Sequence, residues 1–192
     1  MSAGETASPE DVTVVTTSAE LARVVAAARS APLLAVDAEG NGLFAYRAAL
    51  CTVQLAWQEG AKTSIAIVDT LAVDPAPLGE VLGARGPLKV LHDLTFDVKL
   101  LSESGVELDN VHDTSVLARM LGRKATGLAS LLSADLGIVV TKELQQHDWS
   151  RRPLRAAELE YLAADVRHLG SLYEKLLREA RAADIEAEVL DE

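Results

Sequence analysis

Apolar and polar side chains alternate along short runs in the first part of the chain, which is the pattern of half-buried strands. Residues 12–17 are β-branched throughout, and residues 49–57 place an apolar side chain at every second position. Residues 33–39 follow a proline and end at a glycine, and residues 63–69 form a further apolar run. Because only short links join the runs between residues 33 and 69, they predict an antiparallel meander.

Helical periodicity and capping signals predict helices between and after these strands. Thr17 and Glu20 have the spacing of a capping box that opens a helix to about residue 29. After the meander, helices are predicted at about 75–85, 95–102, 114–121, 127–136 and from 156 to beyond 180, with short strands at 89–91 and near 111 and a loop over 141–155. This order predicts an α/β fold whose mixed central sheet, antiparallel in its first strands and then parallel, is flanked by helices.

The length and composition are those of one ordinary globular domain. The chain has 192 residues, of which 49% are hydrophobic, enough for one α/β core and too few for two ordinary domains. Cys51 is the only cysteine, so no internal disulfide can form, and we expect a small core residue there. Residues 1–10 are small, polar and acidic, unlike a secretory signal, and we expect a disordered leader. Since no apolar run has membrane-spanning length, we expect no membrane partner and a cytoplasmic location.

The net charge limits how this chain could bind a nucleic acid. The formal net charge is −11 at pH 7, which argues against a protein that holds nucleic acid by bulk electrostatic attraction. This charge is compatible with an enzyme that binds a few phosphates locally through a bound metal ion. Part of the negative charge would then belong to the metal site itself.

Two acidic residues stand at the end of the predicted strand 33–39. Asp37 and Glu39 are separated by one residue, so their side chains project from the same face of that strand. Carboxylates this close repel each other, and either one stays protonated or a cation sits between them. A hard divalent ion with oxygen ligands, Mg²⁺ above all, suits this arrangement. The alternative is a solvated strand end, because this three-residue pattern is common by chance.

Further carboxylates occur at positions that could complete such a site. A strand ends near His92, and Asp97 follows in the first turn of a helix, with Phe96 facing the core and Asp97 pointing past the strand end. Tyr161 and Asp165 are four positions apart on a late helix, so they share one face beside its apolar stripe. The alternatives are an aspartate that interacts with a helix dipole, a packed tyrosine and an exposed aspartate.

These motifs, in this order, resemble the DEDDy 3′–5′ exonucleases and, within them, most closely the ribonuclease D group. The residues that carry the resemblance are Asp37-x-Glu39, His92-x-x-x-Phe96-Asp97 and Tyr161-x-x-x-Asp165. Three further segments also resemble ribonuclease D, namely 50–56, 112–114 and the Asp-Trp…Arg-Pro-Leu segment at 148–154. The resemblance covers about residues 12–180.

The resemblance implies a ribonuclease H-like fold and two divalent metal ions, Mg²⁺ or Mn²⁺, that hydrolyse a phosphodiester bond. Carried over residue by residue, the implied metal ligands are Asp37, Glu39, Asp97 and Asp165, and Tyr161 matches the tyrosine that orients the attacking water. The polar and aromatic segment 142–154 suits contacts to phosphates and bases. The substrate-binding residues predicted from these motifs are Gly40, Gln54, His92, Phe96, Trp149 and Arg152.

The predicted function is a metal-dependent 3′–5′ exoribonuclease that acts on a single-stranded 3′ end of RNA and releases nucleoside 5′-monophosphates. The alternatives are a proofreading or Werner-type 3′–5′ DNA exonuclease, and a catalytically weak nucleic-acid-binding module. No obligate protein partner is inferred. We predict that the exonuclease domain spans 11–182 and that 183–192 is a tail or the start of a linker to the helical HRDC domains of ribonuclease D. Departures from the family pattern (Ala38, Asp93 and Glu158) remove no implied metal ligand.

Overall fold

The computed structural model describes residues 12–60, 62–141 and 143–187. The predicted disordered leader at 1–10 lies outside the described residues. The strands are β1 (Val12–Val15), β2 (Leu33–Gly40), β3 (Leu50–Glu59), β4 (Lys62–Asp69), β5 (Leu88–Leu91) and β6 (Val111–Asp113). The helices are α1 (Ser18–Ala28), α2 (Gly79–Leu82), α3 (Thr95–Glu103), α4 (Thr114–Met120), α5 (Leu128–Leu131), α6 (Ala156–Arg167) and α7 (Leu169–Ala182).

The strands form one mixed sheet in the order β1-β4-β3-β2-β5-β6. The predicted meander is confirmed, because β3 pairs antiparallel with both β2 and β4. The other neighbours pair in parallel, including β1, which comes first in the chain but lies beside β4. The predicted fold class, a mixed sheet flanked by helices, is therefore confirmed.

Side-chain alternation along β2 sends its residues to two different cores. Leu34, Val36 and Ala38 pack in the core that lies under α1 and α3, whereas Ala35 packs in the core under α4, α6 and α7. Because strand side chains repeat every second residue, the face of Ala35 continues to Asp37 and Glu39. Both carboxylates therefore lie on the side of the sheet that α6 covers.

Several helices differ in detail from the predicted ones. The predicted helix at 75–85 is a 3₁₀ turn (Ala76–Leu78) followed directly by the single turn α2, which ends where Gly83 takes up an extended backbone. The predicted helix at 127–136 is α5 followed by a π-helical turn at Leu132–Leu136. The expectation that Phe96 faces the core is wrong, since its side chain is 48% exposed. Asp97, at the next position of α3, is the residue that turns inward with the helix's buried leucines.

The capping box predicted at the start of α1 is confirmed. Thr17 accepts a hydrogen bond from the Glu20 amide, and the Glu20 side chain accepts one from the Thr17 amide in return. Cys51 is fully buried, as expected for a small core residue. No helix within residues 12–60, 62–141 and 143–187 is long and apolar enough to cross a membrane.

Candidate active site

Strand β2 carries Asp37 and Glu39 out of the core at the end of the sheet. The pairing register shifts between Glu39 and Gly40, so the strand bends directly after the second carboxylate. A side chain at Gly40 would approach the Ala49 carbonyl oxygen and the Leu100 methyl groups to 2.9 Å. Gly40 therefore permits a close backbone approach at this bend.

Helix α3 brings Asp97 to the same place. Its side chain is 5% exposed and accepts a hydrogen bond of 2.8 Å from the backbone amide of Ala38, which lies between the two β2 carboxylates. The turn before α3 is held by Asp113, whose carboxylate accepts hydrogen bonds from the amides of Asp93 and Leu94 at 3.1 and 3.0 Å. This turn fixes the start of α3 and hence the position of Asp97.

Helix α6 packs against β2 and contributes Tyr161 and Asp165 to the site. Carboxylate oxygens of Asp37, Glu39 and Asp165 all lie within 4.8 Å of one another, a spacing at which they could hold one metal ion. Tyr161 and Asp165, which were predicted to share one face of this helix, both line the same cleft. Side chains from β2, α3 and α6 thus converge on one region.

Burial and mutual repulsion make these carboxyl groups hard to ionise together. Burial, with repulsion from Asp165, raises the pKa of Asp37 well above its ordinary value. Burial and the neighbouring carboxylates raise the pKa of Glu39 to about 9 and that of Asp97 to about 8. Burial and repulsion from Asp97 raise the pKa of Asp165 to about 7. Without cations the group binds protons instead, which is the behaviour of a site built for positive charge.

The carboxylates open into a cleft of about 310 Å³. His92 and Tyr161 line it together with Asp37, Glu39 and Asp165. Further lining residues are Gly127, Leu128, Ala129, Val140, Thr141 and Gln145. Gln145 belongs to the segment 142–154, which was expected to contact phosphates and bases. Sequence reasoning gave no functional signal for the other five.

The predicted substrate-binding residues do not all reach this cleft. His92 lines it, with Nδ1 2.9 Å from the Thr114 hydroxyl, and Phe96 is exposed on α3. Gln54 lies directly opposite Asp37 on β3 but is fully buried, and its side-chain amide donates to Thr52 at 2.7 Å. Trp149 is also buried, with 1% of its surface exposed.

The guanidinium of Arg152 donates its hydrogen bonds to other residues of the protein. Its guanidinium makes a bidentate contact with the buried Asp69, at 2.6 and 2.8 Å. The remaining N–H groups donate to the carbonyl oxygens of Cys51, Trp149 and Arg151 at 2.7–2.9 Å. These contacts use every donor of the guanidinium, so Arg152 ties the segment around Trp149 to β3 and β4.

Comparison of the sequence with known protein families agrees with the motif order, the fold and the converging acidic groups. A family model described as 3′–5′ exonuclease matches residues 12–181. The chain belongs to the 3′–5′ exonuclease family. The resemblance predicted from the motifs is thereby confirmed, and the carboxylate cluster lies where three elements of this exonuclease domain meet.

Known ribonucleases of this kind are similar to the exonuclease domain over most of its length. Ribonuclease D from Granulibacter bethesdensis is 35% identical over 185 residues, which are 92% of this chain and 46% of the relative. The crystal structure of Escherichia coli RNase D, described as an exoribonuclease involved in structured RNA processing, is 31% identical with a TM-score of 0.83, over 94% of this chain and 48% of that one. The catalytic core of RRP6 from Trypanosoma brucei is 26% identical with a TM-score of 0.87, over 94% of this chain and 50% of that one. The chain therefore spans about half the length of these relatives.

Proposed function

We propose that this chain is a metal-dependent 3′–5′ exoribonuclease domain that removes nucleoside 5′-monophosphates from the 3′ end of RNA. The observation that carries the proposal is the convergence of Asp37, Glu39 and Asp165 within 4.8 Å in a chain of the 3′–5′ exonuclease family. Asp97 lies against the same strand through its hydrogen bond to Ala38. A purely structural role would not explain so many mutually repelling acidic groups beside one open cleft.

The donor set fits divalent cations. It consists of carboxylate oxygens, the ligands that Mg²⁺ and Mn²⁺ prefer, and bound positive charge would offset the burial and repulsion that raise their pKa values. Asp37, Glu39 and Asp165 would hold one ion, and Asp37 with Asp97 would support a second. Bound ions would neutralise the phosphate, activate water and stabilise the leaving 3′ oxygen.

Tyr161 would act through a hydrogen bond rather than as a base. Burial, with repulsion from Asp165, Glu39 and Asp37, raises the pKa of its hydroxyl above the ordinary value for tyrosine. The phenol therefore keeps its proton at neutral pH and can donate to, or orient, a water molecule beside the carboxylates. This supports the role of Tyr161 as the residue that positions the attacking water.

RNA is the proposed substrate because the relatives at 31–35% identity are ribonucleases D. We propose that the single-stranded 3′ end enters the cleft and that the metal ions bind its phosphate locally, since the net charge of −11 gives little general attraction for nucleic acid. Cytoplasmic location is proposed with this function, because bacterial ribonucleases D are among the relatives. The domain bounds 11–182 remain a prediction.

The test is a gel time course on matched 5′-labelled single-stranded RNA and DNA, with Mg²⁺, with Mn²⁺ and with EDTA. We expect a metal-dependent ladder that shortens from the 3′ end, faster on RNA. Asp165→Asn should abolish the ladder, whereas Glu107→Gln, an exposed carboxylate, serves as the matched control. A faster DNA ladder would favour the DNA exonuclease instead. Binding without cleavage under every metal condition would favour a nucleic-acid-binding module.

A further inference from the structure

Trp149 is a buried side chain with an unexplained polar atom. Its surface is 1% exposed, so it cannot stack on a nucleotide in this conformation. Its indole nitrogen is buried and has no hydrogen-bond partner among the residues that the structure describes. Because an unpaired buried donor is destabilising, an apolar ring such as phenylalanine would be the better residue for packing alone. The N–H group therefore calls for a role of its own.

The surroundings of Trp149 place the indole beside the carboxylates. Its ring packs against Tyr161, with centroids 5.7 Å apart, and meets the edge of His147 at 4.9 Å. Tyr161 in turn lines the cleft together with Glu39. The Trp149 backbone is fixed from behind, since its carbonyl oxygen accepts a hydrogen bond of 2.7 Å from Arg152. The indole thus lies next to Tyr161, which lines the cleft.

We propose that Trp149 is a positioning residue whose indole N–H orients the Glu39 carboxylate for a divalent cation. The ring also supports Tyr161 in its place at the cleft. The Glu39 carboxylate is the acceptor that lies beside the buried indole N–H. The proposal deepens the proposed function and rests on it.

Hydrogen bonds from outside the coordination sphere hold ligand side chains in the orientation that a metal needs. Loss of such a partner typically weakens metal binding by about tenfold or more. Trp149→Phe removes the N–H and keeps an aromatic ring, so it isolates the hydrogen bond from most of the packing. The chain has two tryptophans, and Trp57, whose indole donates to Glu59 at 3.1 Å, gives the matched control variant Trp57→Phe.

The first experiment measures Mn²⁺ binding to the protein by electron paramagnetic resonance of the free ion, without substrate. We expect Trp149→Phe to bind Mn²⁺ about tenfold more weakly than the wild type, and Trp57→Phe to bind it equally well. Urea unfolding in EDTA shows whether both variants are folded. Equal Mn²⁺ affinity of the wild type and a folded Trp149→Phe would overturn this inference alone. Failure of the wild type to bind Mn²⁺ would overturn the proposed function, and this inference with it.

A second measurement needs no Trp149 variant. The two indole N–H groups give two resonances in a ¹H–¹⁵N NMR spectrum, and Trp57→Phe assigns them. We expect Mg²⁺ to shift the Trp149 indole resonance and to leave that of Trp57 in place, because Trp149 would donate to a carboxylate of the metal site whereas Trp57 donates to Glu59. A merely structural Trp149 predicts no selective shift, and that result would overturn the inference even if Trp149→Phe failed to fold.

Discussion

Replacing Glu39 by glutamine should stabilise the metal-free protein, and should do so increasingly as the pH rises. The pKa of Glu39 is raised to about 9 from an ordinary value of 4.5, first by burial and then by Asp37, Asp165 and Asp97. Between these two values the folded protein holds a proton that the unfolded chain releases. The stability that the proton on Glu39 contributes is therefore fully present below about pH 4.5, and this contribution is lost progressively as the pH rises to about 9.

The size of the effect follows from that pKa difference. Each pH unit inside the window costs the folded state about 1.4 kcal/mol for one fully shifted group. Between about pH 5.5 and about pH 7.5 the free energy of unfolding of Glu39→Gln should rise by about 3 kcal/mol relative to the wild type. The pKa values of His92 and His112 are lowered by burial, so these residues also make stability depend on pH, but their contribution cancels in the difference.

The assay is urea unfolding of both proteins in EDTA across this pH range. Glu107→Gln, at an exposed carboxylate, is the control and should track the wild type. Saturating Mg²⁺ should raise the urea midpoint of the wild type more than that of Glu39→Gln, because the variant lacks one proposed ligand. A stability difference that stays flat with pH in EDTA would refute the argument that Glu39 is held in a proton-demanding site.

Three further changes test other parts of the site. Tyr161→Phe should slow RNA turnover and spare Mn²⁺ binding, and a loss of Mn²⁺ binding would make Tyr161 structural instead. Gly40→Ala should cost about 1–3 kcal/mol in urea unfolding, because its Cβ would meet backbone and side-chain atoms at 2.9 Å, whereas Gly79→Ala, with open space around it, should be neutral or better. Arg152→Met should cost about 3–5 kcal/mol by leaving the buried Asp69 unpaired, and a change in RNA affinity at unchanged stability would instead support a substrate contact.

The candidate site could be predicted only in part from local patterns. The period of two in β2 places Asp37 and Glu39 on one face, and the period of α6 does the same for Tyr161 and Asp165. Arg152 and Trp149 show the limit of this reasoning. Their composition suits phosphate and base contacts, yet the fold engages one with Asp69 and buries the other behind the cleft. A side chain's partners depend on elements distant in sequence, which a local pattern does not contain.

The sequence by itself determined the alternation of β2, the capping box of α1, the antiparallel meander and the order of the acidic motifs, because each depends on backbone geometry over a few residues. The tertiary structure decided the convergence of these motifs. Asp97 meets the amide of Ala38 across 59 positions of chain, and α6 brings Asp165 within 4.8 Å of the β2 carboxylates. Only such packing excludes water and sets like charges side by side, so the raised pKa values of the site arise from the fold and not from any single motif.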